Sequence, residues 1–97
     1  MARRGRNSAT VPLTEDSLRQ WMIEHLANRI RISPDEVATD VTFESYGIDS
    51  QVALQMSGAL EKLTKHRLSP GLLYEYQTID ELVTYLAKEL SLPAGEH

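Results

Sequence analysis

The chain has 97 residues, 41% hydrophobic and 25% charged, which fits one small soluble domain with a single modest core and no room for a deep catalytic cleft with its own scaffold. Its formal net charge is −4, and its basic residues are scattered apart from Arg3, Arg4 and Arg6 and a group of Lys62, Lys65, His66 and Arg67, which argues against a nucleic-acid-binding face. Without cysteine it has no disulfide, thiolate-bound zinc or cysteine nucleophile, and its apolar runs fall far short of the roughly 20 residues that span a bilayer.

Residues 1–12 are basic and lack apolar periodicity, and no apolar segment follows them that could form the core of a signal peptide. They read as a disordered tail of a cytoplasmic protein, with the folded domain expected over residues 13–90 and a second disordered tail over 91–97. The first helix is expected near Thr14, whose hydroxyl can cap free amides, with Glu15 and Asp16 favourably placed against the positive end of the helix dipole. Leu18, Trp21, Met22, Leu26 and Ile30 recur at spacings of three and four and form an inward stripe, on which Trp21 is a packing residue. Ser33-Pro34-Asp35-Glu36 predicts a brief helical turn with proline at its first position. A long connection then runs from about Ala38 to Asp49. Val41, Phe43, Tyr46 and Ile48 should tie it down over the core, and loops of this length in compact domains tend to be functional. Gly47 supplies backbone freedom just before the next helix.

The second helix is predicted over Ser50 to Lys65, with Val52, Met56, Ala59, Leu60 and Leu63 turned inward and Gln51, Leu54, Gln55, Gly58 and Glu61 outward. A mid-helix glycine costs about 1 kcal/mol relative to alanine, which stability alone does not explain. After the turn Ser69-Pro70-Gly71, the apolar knot Leu72, Leu73, Tyr74 and Tyr76 reads as one short helix. Thr78-Ile79-Asp80-Glu81 then predicts a capping box, with Glu81 reaching back to the Thr78 amide, and opens a last helix with Ile79, Leu82, Val83, Leu86 and Leu90 inward. The expected fold is all-α: a bundle of three long helices and one short one, with a long loop between the first and second.

Asp49-Ser50 alone is an ordinary helix cap. Combined with the rest of Tyr46-Gly47-Ile48-Asp49-Ser50 and with Leu72-Leu73-Tyr74-Glu75-Tyr76-Gln77-Thr78-Ile79-Asp80-Glu81-Leu82 about twenty residues on, it resembles the phosphopantetheine-binding carrier domains, the acyl carrier protein family, over roughly Thr14 to Leu90. The resemblance implies that Ser50 receives 4'-phosphopantetheine from coenzyme A through a separate phosphopantetheinyl transferase. The arm's thiol then carries acyl groups as thioesters, and Asp49 helps the transferase position magnesium and pyrophosphate. A helix N-terminus suits such an anion on physical grounds, because its free amides and dipole favour negative charge. A nucleophilic role for Ser50 would need a base, and His25, His66 and His97 are scattered, with no Gly-x-Ser-x-Gly turn around Ser50. All three read as surface residues, and Asp35, Glu36, Asp40 and Glu44 read as a solvated acidic loop.

The chain also departs from the family's fatty-acid members. Gln51 stands where they carry a hydrophobic residue, Gln55 replaces an expected acid, and Glu61 is the only carboxylate before Lys62 and Lys65. Recognition by the transferase, an acyltransferase, a ketosynthase and other synthase enzymes is therefore expected to rest on Gly47, Ile48, Asp49, Gln51, Leu54, Gln55, Gly58 and Tyr74 more than on charge. Leu-Leu-Tyr-Glu-Tyr-Gln-Thr-Ile looks most like carriers of bacterial modular polyketide synthases and polyketide/peptide hybrids. The alternatives are a peptidyl or fatty-acid carrier, or an unmodified helical interaction module. In each case a monomer without metal, nucleic acid or membrane partner is expected.

Overall fold

A computed structural model describes residues 13–94; the basic segment 1–12 and residues 95–97 lie outside the described residues. Four helices follow in order: α1 (Glu15–Ile30), α2 (Ser50–Thr64), α3 (Leu72–Glu75) and α4 (Ile79–Glu89). Two single 3-10 turns, Pro34–Glu36 and Glu44–Tyr46, interrupt the long connection between α1 and α2. Among the described residues there is no strand, only one isolated antiparallel bridge between Thr42 and Thr78.

The helix starts follow from side-chain chemistry. Thr14 Oγ1 accepts from the Ser17 amide at 3.0 Å while Ser17 Oγ accepts from the Thr14 amide at 2.8 Å, a reciprocal box that satisfies two otherwise orphaned donors. At α4, Thr78 Oγ1 caps the Glu81 amide at 3.1 Å, but the predicted return contact differs: Glu81 Oε1 accepts from Gln77, one residue earlier, at 3.0 Å. Thr78 is extended and paired with Thr42, so the carboxylate clamps the chain one step outside the helix.

A single core joins all four helices. Leu18, Met22 and Leu26 of α1, Ala53, Met56 and Leu60 of α2, Leu72 and Leu73 of α3, and Ile79, Leu82, Val83 and Leu86 of α4 are buried together with Phe43 from the connection. α1 lies along α4, and α2 lies against α3. Arg19 adds a polar strap between α1 and the start of α4, its Nε 3.2 Å from Asp80 Oδ1.

Three packing details differ from the sequence expectation. On α2 the buried face is rotated: Val52, Ala59 and Leu63 are only half-buried, whereas Ala53, Ser57 and Thr64 are buried. Hydrophobicity does not mark Ser57 or Thr64 as inward; Thr64 becomes tolerable there because its hydroxyl donates to the Leu60 carbonyl at 2.8 Å. On α1, Trp21 is half-buried and stacks on His25, with ring centroids 4.6 Å apart, so His25 is not a free surface residue. Desolvation in that position, aided by Arg29, lowers its pKa from the ordinary 6.5. Finally, residues 91–94 are not a loose tail. Leu92 packs on the core, and the Pro93 and Ala94 carbonyls accept from the Glu15 and Asp16 amides at 2.8 and 3.2 Å, supplying two acceptors to the free end of α1.

Candidate functional site

The connection between α1 and α2 is held down as Phe43, Tyr46 and Ile48 predict, whereas Val41 is not among the residues packed on the core. Phe43 is 3% exposed, and its amide donates to the Gln77 carbonyl at 2.9 Å, while the Asp80 amide donates to Thr39 O at 3.0 Å. The Tyr46 hydroxyl closes a loop on Ala38, accepting from its amide at 2.6 Å and donating to its carbonyl at 3.3 Å. These contacts lock the segment that delivers the chain to α2. Gly47 then turns left-handed at φ 81°, a region other residues enter at a cost, and its amide bonds Glu44 O at 2.9 Å.

Beyond that turn, Asp49 and Ser50 take different jobs. Asp49 is the N-cap: its Oδ1 accepts from the Val52 amide at 2.9 Å. Ser50 is the first helical residue; it is exposed, and among the described residues no hydrogen bond engages its hydroxyl. The amides of Ser50 and Gln51 likewise find no acceptor among the described residues. An exposed hydroxyl therefore stands beside unused donors at the positive end of a helix, a setting that favours an anion attached at this oxygen.

Beside Ser50 a cleft of about 320 Å³ opens between the connection, the start of α2 and α3. Ile48, Asp49, Ser50 and Tyr74 all line it, so the structure brings these four predicted residues together, along with Phe43 and Ala53. Tyr74 is 57% exposed at its rim. Gly47 is not among the residues that line the cleft. Gln51, Leu54, Gln55 and Gly58 instead run down the exposed side of α2, away from the cleft lining. Gln55 is exposed, and its Oε1 also accepts from Arg29 of α1. Sequence reasoning misses Gln77 and Thr42 in the cleft lining; the pairing of the connection with residues 77 and 78 brings them there, and neighbouring positions in sequence carry no sign of it.

Among the described residues no three of His, Asp and Glu cluster tightly enough to hold a metal ion, and no helix is long and apolar enough to cross a membrane.

Comparison with known proteins gives these features a context. Residues 20–86 match the family described as "Phosphopantetheine attachment site". Over 73 residues the chain is 38% identical to a subunit of the phenolphthiocerol/phthiocerol polyketide synthase of Mycobacterium tuberculosis, a match covering 75% of this chain and 4% of that protein. Over 69 residues it is 41% identical to polyketide synthase PksR of Bacillus subtilis, covering 71% of this chain and 3% of that protein. The chain thus spans only a few hundredths of the length of these curated relatives. Among solved structures, a free-standing peptidyl carrier protein of a secondary metabolic pathway in Acinetobacter baumannii superposes with a TM-score of 0.74 at 42% identity, covering 79% of this chain and 96% of that one.

Proposed function

The chain belongs to the phosphopantetheine attachment-site family, and we propose that Ser50 is its attachment residue and that it carries acyl intermediates of a polyketide or hybrid polyketide/peptide assembly line. The family consists of carrier domains, generally non-catalytic, that bear covalently attached 4'-phosphopantetheine. Bound there, the arm supplies the thiol that this cysteine-free chain lacks and holds cargo as a thioester.

The residues fit that group. The single observation that carries the reading is the division of labour at α2: Asp49 caps the helix, leaving the Ser50 hydroxyl exposed and uncommitted. The unused Ser50 and Gln51 amides suit the phosphodiester, and the adjoining cleft offers Ile48, Ala53 and Tyr74 to the arm or its cargo. On this reading a phosphopantetheinyl transferase loads the chain, an acyltransferase charges it, and a ketosynthase draws from it in the cytoplasm. Gly47, Ile48, Asp49 and Tyr74 frame the approach to Ser50, and Gln51, Leu54 and Gly58 extend the contact surface along α2. The chain itself performs no catalysis, and its folded domain reaches from residue 13 through the strapped segment ending at Ala94.

A peptidyl cargo is the second reading, favoured by the 42% identity to the free-standing peptidyl carrier protein. One experiment tests both. Incubation with coenzyme A and a permissive transferase should add one phosphopantetheine to the intact chain, and Ser50→Ala should abolish the addition while leaving the helical circular dichroism unchanged. Absence of any addition with several transferases rejects the carrier reading. The mass of the arm ejected from chain purified from its producer distinguishes aminoacyl from polyketide cargo.

A further inference from the structure

Below Ser50, on the flank of α2, lies a second groove of about 290 Å³ that is separate from the cleft at the attachment site. Leu54, Ser57, Gly58 and Glu61 of α2 form one wall, and Arg67 and Leu68 of the following loop form the other. Three of these features lack a purpose within the chain. Leu54 is 54% exposed. Gly58 occupies the middle of α2, where glycine weakens a helix, yet a Cβ there would meet nothing within 4 Å, so no internal contact requires its absence. Ser57 is 3% exposed, and its hydroxyl is buried with no hydrogen-bond partner among the described residues, an unusual state for a buried polar group. An object that enters the groove from outside uses the open space over Gly58, covers Leu54, and comes to lie beside Ser57, which lines the groove and whose hydroxyl lacks a partner among the described residues.

Charge indicates the nature of that object. Lys62 follows Gly58 by four residues on the exposed side of α2, Lys65 is exposed at the helix's left-handed C-terminal cap, and Arg67 lines the groove. Against these three cations stands one carboxylate, Glu61, which already accepts from the Leu68 amide at 2.7 Å. Among the described residues none of the three cations makes an ion pair. Toward Ser50 the same side is uncharged through Gln51, Leu54 and Gln55, with Glu44 and Asp49 beyond the start of the helix.

We propose that this groove is a docking site for a partner protein that presents an apolar side chain flanked by carboxylates: the apolar group seats over Gly58 against Leu54, and the acids meet Lys62, Lys65 and Arg67. The proposal rests on the carrier reading, since it names the chemistry of the enzymes to which Ser50 would be offered. The distribution of charge assigns those enzymes an acidic contact surface on this side of α2.

The test uses the full-length chain loaded at Ser50 and labelled with nitrogen-15. Two helical peptides serve as probes, both with leucines along one face, one with glutamates flanking the leucines and the other with lysines. The glutamate peptide should shift the amides of Leu54, Ser57, Gly58 and Arg67 and leave those of α1 unmoved, whereas the lysine peptide should bind about tenfold more weakly or not at all. Gly58→Leu, whose added side chain begins in open space, should abolish these shifts without unfolding α2, and Arg67→Glu should weaken binding by about tenfold. Equal binding of the two peptides, shifts centred elsewhere, no binding, or indifference to Gly58→Leu each overturns the proposal. The intact mass of the same samples reports loading of Ser50 independently, so failure of the carrier reading and failure of the docking site appear in different measurements.

Discussion

Two glycines in this chain have equal room for a methyl group and should respond to it in opposite directions. At Gly58 and at Gly47 alike, a Cβ would meet nothing within 4 Å, so neither substitution to alanine creates a clash or gains a packing contact. The backbone alone then decides the sign. Gly58 lies in the middle of α2 without a positive φ, so Gly58→Ala should stabilise the fold by about 1 kcal/mol, the difference in helix propensity. For a domain of this size that corresponds to a rise in Tm of about 4–8 °C. Gly47 sits at φ 81°, so Gly47→Ala should destabilise by about 1–2 kcal/mol, the cost of a left-handed conformation for a residue with a side chain. Urea unfolding followed by circular dichroism measures both, and the midpoint should move while the slope stays constant. Refutation would come from a destabilised Gly58→Ala, which would mean that the space over residue 58 is filled within the chain. A neutral Gly47→Ala would mean that the turn before Ser50 is not held in its left-handed form.

Three further substitutions probe the surroundings of the site. Asp49→Ala removes the side-chain cap of α2 and should lower stability by about 1 kcal/mol in the same unfolding assay, with Asp49→Asn restoring most of the loss. Tyr46→Phe removes both bonds to Ala38 and should cost about 1 kcal/mol, with hydrogen exchange at the Ala38 amide accelerated more than in α1. For His25, burial beside Trp21 and the nearby Arg29 lower the folded-state pKa below the unfolded 6.5. On acidification the unfolded chain therefore takes up this proton first, so stability is lost as pH falls through 6.5 toward the folded value and is unaffected by this group well above 6.5. The difference in urea midpoint between about pH 7.5 and about pH 5.5 should shrink in His25→Gln, and an unchanged difference would exclude His25 as its source.

Much of the fold is legible in the sequence because the helices announce themselves locally. Thr14, Asp49 and Thr78 are capping residues at three starts, and apolar residues at spacings of three and four fill the faces between them. The long connection is readable as tied down because Phe43, Tyr46 and Ile48 are too apolar to leave in water. The misplaced features are those decided across the chain. The buried side of α2 is rotated by packing that admits Ser57 and Thr64, which an apolar count passes over. Residues 91–94 look like a polar tail until the free amides at the start of α1 are supplied with acceptors. Arg67 belongs to a groove only because its loop folds back along α2, and Gln55 meets an arginine 26 positions earlier.

The site itself turns on a choice between neighbours that residue type cannot make. Aspartate and serine are both good caps, and either could have taken the first turn of α2. Had Ser50 been the cap, its hydroxyl would be bonded to a helix amide and the first free donors would lie one residue later. With Gly47 left-handed and Asp49 extended at ψ −179°, the turn delivers the aspartate carboxylate to the Val52 amide and places Ser50 one step inside the helix. There its oxygen faces solvent with no competing bond among the described residues, and the amides of Ser50 and Gln51 remain to receive negative charge. The locked connection matters for the same reason: the bonds from Phe43 to Gln77, from Asp80 to Thr39 and from Tyr46 to Ala38 hold the turn that decides which of the two residues is spent on the helix and which is left available.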